Sequence, residues 1–173
     1  MPLARPKEKI ERRIGEKLFL KGERSFSQKT AVSRRPYPPG LHGKKRRRGR
    51  SEYGTQLREK QKVRYLYGIG DGELKRYFEE ALAGKNKPTA DTLAELLERR
   101  LDNAVFRLGF AVSRSIARHL VSYGHILVNG RCVRRPSLRV KIGDIISPKA
   151  DELPTALYQG LDLRLKKYTP PEW

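Results

Sequence analysis

The stretch LDNAVFRLGFAVSRSIARHLVSYGHILVNG, Leu101 to Gly130, changes its period partway along. From Ser113 to Tyr123 the pattern is helical: Ile116, Ala117 and Leu120 share a core-facing side, and Gly124 closes the helix. After it, Ile126-Leu127-Val128 and Arg131-Cys132-Val133 flank Asn129-Gly130. Asn-Gly is the preferred pair for a two-residue hairpin turn, because both central residues need positive φ. A helix running straight into a tight hairpin predicts a small module in which one packs on the other. Arg114 and Arg118 lie one turn apart on a common face. Ser113 sits at the helix start, where it either caps the helix or caps it and also meets a phosphate. His119 and Tyr123 are one turn apart, and His125, Asn129 and Arg131 follow in the hairpin. Basic and hydrogen-bonding groups on one side of such a module suit a bent RNA backbone. The structural alternative is that His119 and His125 are satisfied internally and that Arg114 and Arg118 are ordinary surface arginines. Cys132 reads as a strand core residue.

Outward from this stretch, the N-terminal side is helical. Thr89 is a candidate cap for a helix in which Leu93, Leu96, Leu97, Leu101, Val105 and Leu108 recur at three- and four-residue steps. Asp102-Asn103 is the expected place for a bend or break, and Gly109 the end. Those two read as hydrogen bonders at a helix junction rather than as a carboxylate site. Asp71 is a cap candidate for a helix through Leu74, Tyr77, Phe78 and Leu82 to Gly84, and Ser51 for one reaching Tyr67. Tyr65, Tyr67, Tyr77 and Phe78 read as helical core. Gly68-Ile69-Gly70-Asp71-Gly72 has neither a preceding strand nor a Lys-Ser/Thr ending, so it is an interhelical turn and not a nucleotide loop. On the C-terminal side, strands are expected at 138–140 and 145–147 around a Gly143-Asp144 turn; residues 153–173 are weakly periodic. The fold class is α+β. A basic N-terminal arm spans 1–50, a helical domain 51–100, and a module of two helices packed on a short antiparallel sheet 101–150. A C-terminal segment covers 151–173.

Charge narrows the function. The 173 residues hold 39 Lys plus Arg against 19 Asp plus Glu, a net charge of +20. Residues 1–50 carry 17 of the basic and 4 of the acidic residues, so most of the excess lies in the first third. Such imbalance speaks to partners and solubility, not to fold, and a polyanion is the leading partner. Apolar residues make up 37% of the chain, too few for a large core from end to end. No apolar run approaches the roughly 20 residues of a membrane span. The basic stretches lack an opposing apolar stripe, which argues against membrane binding. MPLARPKEKIERR has no apolar region of the secretory kind, and its Glu8 and Glu11 do not suit an organellar transit peptide. The single cysteine allows no intrachain disulfide and no multi-cysteine metal site, and it fits a reducing, cytosolic setting.

Within the first third, KKRRRGR places Lys44, Lys45, Arg46, Arg47, Arg48 and Arg50 together. Like charges at this density cannot pack on one another and stay extended until phosphate neutralises them. A plain solvated loop is the other reading. Just before it, RRPYPPGLHG runs from Arg34 and Arg35 to Gly43. Its prolines stiffen the backbone and Gly40 and Gly43 permit bends. Tyr37 and His42 offer flat faces for stacking on bases or sugars, unless the segment is simply a Pro-rich connector.

Taken together, these motifs carry a resemblance. Leu101 to Gly130 resembles the RNA-binding module named after small-subunit ribosomal protein four. LKGERSFS (Leu20 to Ser27), RRPYPPGLHG, REKQKVRYLYGI (Arg58 to Ile69) and LERRLDNAVFRLGF (Leu97 to Phe110) resemble the bacterial-type family of that ribosomal protein, in the family's order. The resemblance implies a helical domain with the RNA-binding module inserted in it. It implies binding to a multi-helix junction in the 5′ domain of small-subunit rRNA, a role in nucleating subunit assembly, and a place by the path of incoming mRNA. It also implies small-subunit ribosomal proteins three and five as neighbours and an influence on decoding accuracy. Lys60, inside REKQKVRYLYGI, joins the candidate RNA contacts. No small-molecule substrate, cofactor or catalytic residue is implied. Many members hold zinc through four cysteines near the N-terminus; the matching positions here are Glu8, Glu11, Ser25 and Thr30, so no metal is expected. Members usually continue past a tryptophan placed like Trp173, so a shortened C-terminal segment is expected.

Two other functions use the same module. A pseudouridine synthase needs a separate catalytic domain, and about 40 residues after the module are too few for one. A free-standing RNA chaperone or stalled-ribosome factor shares the module but lacks the helical domain and the RRPYPPGLHG segment.

Overall fold

A computed structural model of the chain describes residues 6–45, 49, 51–84, 87–149, 165, 168 and 169. Its helices are α1 (Lys7–Ile14), α2 (Glu23–Phe26), α3 (Ala31–Arg34), α4 (Glu52–Tyr67), α5 (Asp71–Ala83), α6 (Thr89–Glu98), α7 (Leu101–Arg107) and α8 (Arg114–Ser122). Its strands are β1 (Ile126–Val128), β2 (Arg131–Cys132) and β3 (Ile146–Pro148). The architecture is α+β. Two compact units divide after Leu74, within α5.

In the second unit the hairpin forms as the Asn-Gly pair dictates. Asn129 and Gly130 have φ of 51° and 75°, and Val128 pairs with Arg131 across a two-residue turn. β3 adds antiparallel on the other side of β1, giving the order β2-β1-β3. The helices α7 and α8 pack together, and their apolar faces meet this sheet. Leu101, Val105, Ala117, Leu120, Val121, Ile126 and Val128 form one buried cluster, flanked by Phe106, Phe110, Ile116 and Ile146. The Ser113 hydroxyl accepts from the Ile116 amide at 3.4 Å and so caps α8. Gly109 and Gly124 take φ of 81° just past the ends of α7 and α8.

The long helix expected from Thr89 to Leu108 is broken at Arg99–Arg100, not at Asp102-Asn103. Arg100 takes extended backbone (φ −68°, ψ 138°) and its side chain is wholly buried. It grips Asp102 through two parallel bonds, Nε to Oδ1 at 3.0 Å and Nη2 to Oδ2 at 2.9 Å. Nη1 donates to the Tyr77 hydroxyl of α5 at 2.9 Å. Asp102 Oδ1 also accepts from the Asn103 amide, and Asn103 Nδ2 donates to Glu98. Both residues are therefore the junction hydrogen bonders that the sequence suggests. The break lets residues 138–140 run antiparallel beside Arg99–Leu101, with Leu101 N bonded to Leu138 O and Val140 N to Arg99 O, each at 2.8 Å. That pairing is an isolated bridge, so the strand expected at 138–140 is absent; the one expected at 145–147 is shifted by one residue.

Smaller corrections follow from burial. Thr89 is the first helical residue of α6, and Pro88 holds the capping position without a side-chain bond. Tyr77 is core, but its neighbour Phe78 is exposed. Cys132 is exposed rather than core, because β2 is an edge strand; its thiol donates to the Gly124 carbonyl at 3.3 Å.

In the first unit, Ser51 caps α4 by accepting from the Gly54 amide, and Gly68 ends it at φ 65°. The sequence pattern suggests no helix before Ser51, yet α1, α2 and α3 lie there. Ile10, Ile14 and Leu18 form a small core against Leu20 and Tyr65, and α1 packs on α3 and α4. Polar groups supply the remaining order. The buried Glu11 carboxylate accepts from the Leu20 amide at 3.2 Å, and the buried Ser25 hydroxyl accepts from the Lys21 amide at 3.1 Å. Glu8 pairs with Lys21 and Arg24. No helix among the described residues is long and apolar enough to cross a membrane.

Candidate nucleic-acid interface

The interface of the second unit starts from the capping of α8. Ser113 is buried, with its hydroxyl committed to the Ile116 amide and to Ser115 Oγ at 3.1 Å, so it serves the helix. Arg114 donates from Nε to Asn103 Oδ1 at 2.8 Å, and its guanidinium lies 4.6 Å from the centre of the Phe106 ring. One edge of Arg114 thus ties α8 to α7. Arg118, one turn on, is half-buried.

Beyond Arg118 the surface is aromatic. His119 and Tyr123 stack with centroids 6.0 Å apart and planes inclined by 15°. Tyr123 then meets His125 at 6.3 Å. Tyr123 is 68% exposed, so this three-ring row faces solvent. His125 is held firmly: its amide donates to Leu120 O, and its carbonyl accepts from the Lys149 amide. Its Nδ1 is buried without a hydrogen-bond partner among the described residues. Such rings can stack on unpaired bases, and the neighbouring arginines can meet phosphates.

The hairpin tip is less available than its sequence suggests. Asn129 Nδ2 donates to Asp144 Oδ1 and its Oδ1 accepts from the Ile145 amide, each at 2.9 Å. The Lys141 amide and then the Asn129 amide group hold the Asp144 carboxyl below its ordinary pKa. The Asn129 side chain therefore clamps two turns together. Arg131 is exposed beside it.

In the first unit Arg34, Arg35, His42 and Lys45 are exposed. Tyr37 is not an open stacking face. The Arg12 guanidinium lies 4.9 Å and the Lys44 ammonium 5.6 Å from its ring centre. Arg12 Nε also donates to the carbonyls of Arg35 and Tyr37 at 3.2 and 3.0 Å. It thereby sets the shape of the RRPYPPG bend, a role that sequence reasoning missed because the partners lie more than 20 residues away. Lys60 pairs with Asp71 at 3.9 Å. Arg46, Arg47, Arg48 and Arg50 lie outside the described residues.

A zinc site does not fit this chain. Glu8 faces cations, Glu11 and Ser25 accept from backbone amides, and Thr30 caps α3. Hydroxyl and carboxylate oxygens are poor replacements for thiolates in a structural zinc site. Among the described residues no three His, Cys, Asp or Glu converge as a metal site.

The chain is similar to known proteins along most of its length. Residues 2–98 match the family described as the ribosomal protein S4/S9 N-terminal domain, and residues 99–146 match the S4 domain. The chain is 52% identical over 162 residues to the small ribosomal subunit protein uS4 of Syntrophomonas wolfei, covering 94% of this chain and 77% of that one. It is 52% identical over 165 residues to the uS4 of Caldicellulosiruptor bescii, with the same coverage of 94% and 77%. It is 57% identical over 136 residues to the uS4 of Thermus thermophilus, covering 79% of this chain and 65% of that one.

Proposed function

The chain belongs to the ribosomal protein S4 family, and on that premise we propose that it is a structural component of the small ribosomal subunit that binds small-subunit rRNA directly. It binds at a multi-helix junction of the 5′ domain and nucleates subunit assembly in the cytoplasm. In the subunit it lies beside ribosomal proteins three and five, near incoming mRNA, and contributes to accuracy. Its role is architectural rather than catalytic.

The observation that carries this reading is the solvent-facing row His119–Tyr123–His125, next to Arg118 on α8 and set on a finished apolar core. A preformed surface of rings and cations binds folded RNA with little ordering cost. The excess of positive charge supplies the rest of the affinity.

The test is binding of the purified chain to a 5′-domain rRNA fragment and to an unrelated structured RNA, across a salt series. Six to ten phosphate contacts on a duplex lower affinity by about 10³–10⁵ between 50 and 200 mM salt. The expected result is a persistent preference for the 5′-domain fragment as salt rises. Equal affinity for both RNAs at every salt concentration would leave only non-specific charge attraction, and the proposal would fail.

A further inference from the structure

Between α1, the Pro39-Gly40 bend and α4 lies a cleft of about 370 Å³. Its apolar lining is made by Pro6, Ile10, Pro39 and Tyr65. Each wall is held in place. Ile10 belongs to the α1 core, and Tyr65 packs against that core with the Arg64 guanidinium 5.3 Å from its ring centre. Arg12 fixes the backbone leading into Pro39 through the Arg35 and Tyr37 carbonyls. Two exposed cations, Lys9 and Arg13, stand at the rim one helical turn apart. In the same unit Lys21, Arg24, Arg58, Lys60, Lys62 and Arg64 all have carboxylate partners. Lys9 and Arg13, like the exposed Lys17 and Lys29 elsewhere in the unit, have no ion-pair partner among the described residues, and they alone of these four line the cleft.

An apolar lining that includes an aromatic ring, with two uncompensated cations beside it, fits a planar body that carries negative charge. The volume is at the low end for small-ligand sites, enough for one nucleotide and too little for a stretch of duplex. We infer that this cleft receives a single unpaired nucleobase of the bound RNA, with Lys9 and Arg13 on its flanking phosphates. Stacking on the Tyr65 side and the two phosphate contacts are the chemistry by which single-stranded nucleotides are commonly held. The inference rests on the RNA-binding reading above and adds to it a second, separately placed site.

The experiment uses the full chain bound to the 5′-domain fragment. Four preparations of the RNA each carry a photoreactive analogue of one base throughout; after irradiation, peptide–nucleotide adducts are mapped by mass spectrometry. An adduct is expected at Tyr65 or on the peptide through Pro39. The double substitution K9E/R13E removes it and weakens binding roughly tenfold or more, whereas K17E/K29E, the same charge change at exposed lysines outside the cleft, costs less. Circular dichroism checks that both variants fold. No adduct at the cleft, or an adduct that survives K9E/R13E, overturns the inference whichever way affinity moves, and leaves the RNA-binding reading standing if the unaltered chain still binds. Failure of the unaltered chain to bind the fragment overturns both.

Discussion

The two units differ in their apolar cores more than in their ion pairs, which both contain. In the second, several arginines have carboxylate partners, one of them fully buried. Arg100 is buried against Asp102, Arg107 is paired with Glu98 at 3.0 Å, and Arg139 with Glu80 at 2.5 Å, around a core built from two helices and a sheet. In the first, Ile10, Ile14 and Leu18 make a small core around α1, and while six cations have carboxylate partners, Lys9 and Arg13 have none among the described residues. A unit with its own core and its own counter-ions presents a finished surface to RNA. A unit with a small core and surplus cations gains more of its order from the polyanion it binds. The expectation is that the second unit binds RNA as a preformed surface and that the first gains order on binding.

The largest expected effect tests the internal neutralisation. Arg100→Ala leaves the Asp102 carboxylate buried without its partner, and breaking a buried pair in this way costs about 3–5 kcal/mol. Urea unfolding of the variant checks it. The double change R100M/D102L, which removes both charges, is expected to recover a substantial part of that loss; equal loss in both variants would mean that packing, not charge, governs the junction.

The next effect concerns the finished surface. Tyr123→Ala removes the middle ring of the row while leaving the core alone. Base stacking is worth about 1–3 kcal/mol per base, so affinity for the 5′-domain fragment is expected to fall about 5- to 150-fold with the melting temperature unchanged. Unchanged affinity would remove the ring row from the interface.

A smaller loss is expected in the first unit. Arg12→Ala frees the carbonyls of Arg35 and Tyr37 and removes the cation over Tyr37. A partly exposed set of this kind is worth about 1–2 kcal/mol. Limited proteolysis of the 35–40 bend should speed up in the free variant and recover when RNA is added.

The smallest effect is with pH. Glu80 is held below its ordinary pKa first by the hydrogen bond from Arg139. A depressed folded-state pKa means that the unfolded chain takes up its proton first as pH falls. The stabilisation is therefore present above the ordinary carboxylate range and lost as pH drops through the folded value. The pair is partly solvent-exposed, so its worth is below about 1 kcal/mol. Acid titration of stability in E80Q is expected to be slightly flatter than in the unaltered chain.

Local chemistry made some of this fold legible in advance. Asn129-Gly130 announces its turn because few other residues accept positive φ, and Ser51 and Ser113 announce helix starts because their hydroxyls satisfy free amides. Features decided by distant partners were not legible. The break at Arg100 depends on Asp102 and Tyr77 closing around one guanidinium, while apolar periodicity runs on past it. The short helices ahead of the basic stretch, α1 to α3, owe their order to Glu11, Ser25 and Arg12 reaching across loops. The same holds for the interface. The His119–Tyr123 pair could be read from helical spacing, whereas the approach of His125 to Tyr123, the commitment of Asn129 to Asp144 and that of Tyr37 to two cations could not.

Hydrogen exchange on the full chain, free and bound to the 5′-domain rRNA fragment, tests the contrast and the function together. The account predicts that the amides of α7, α8 and β1 are already well protected in the free chain and change little. It predicts that those of α1 and α3 gain protection strongly on binding, and that the surface around Tyr123 becomes shielded. Equal protection of both units in the free chain, with no change when RNA is added, would contradict it.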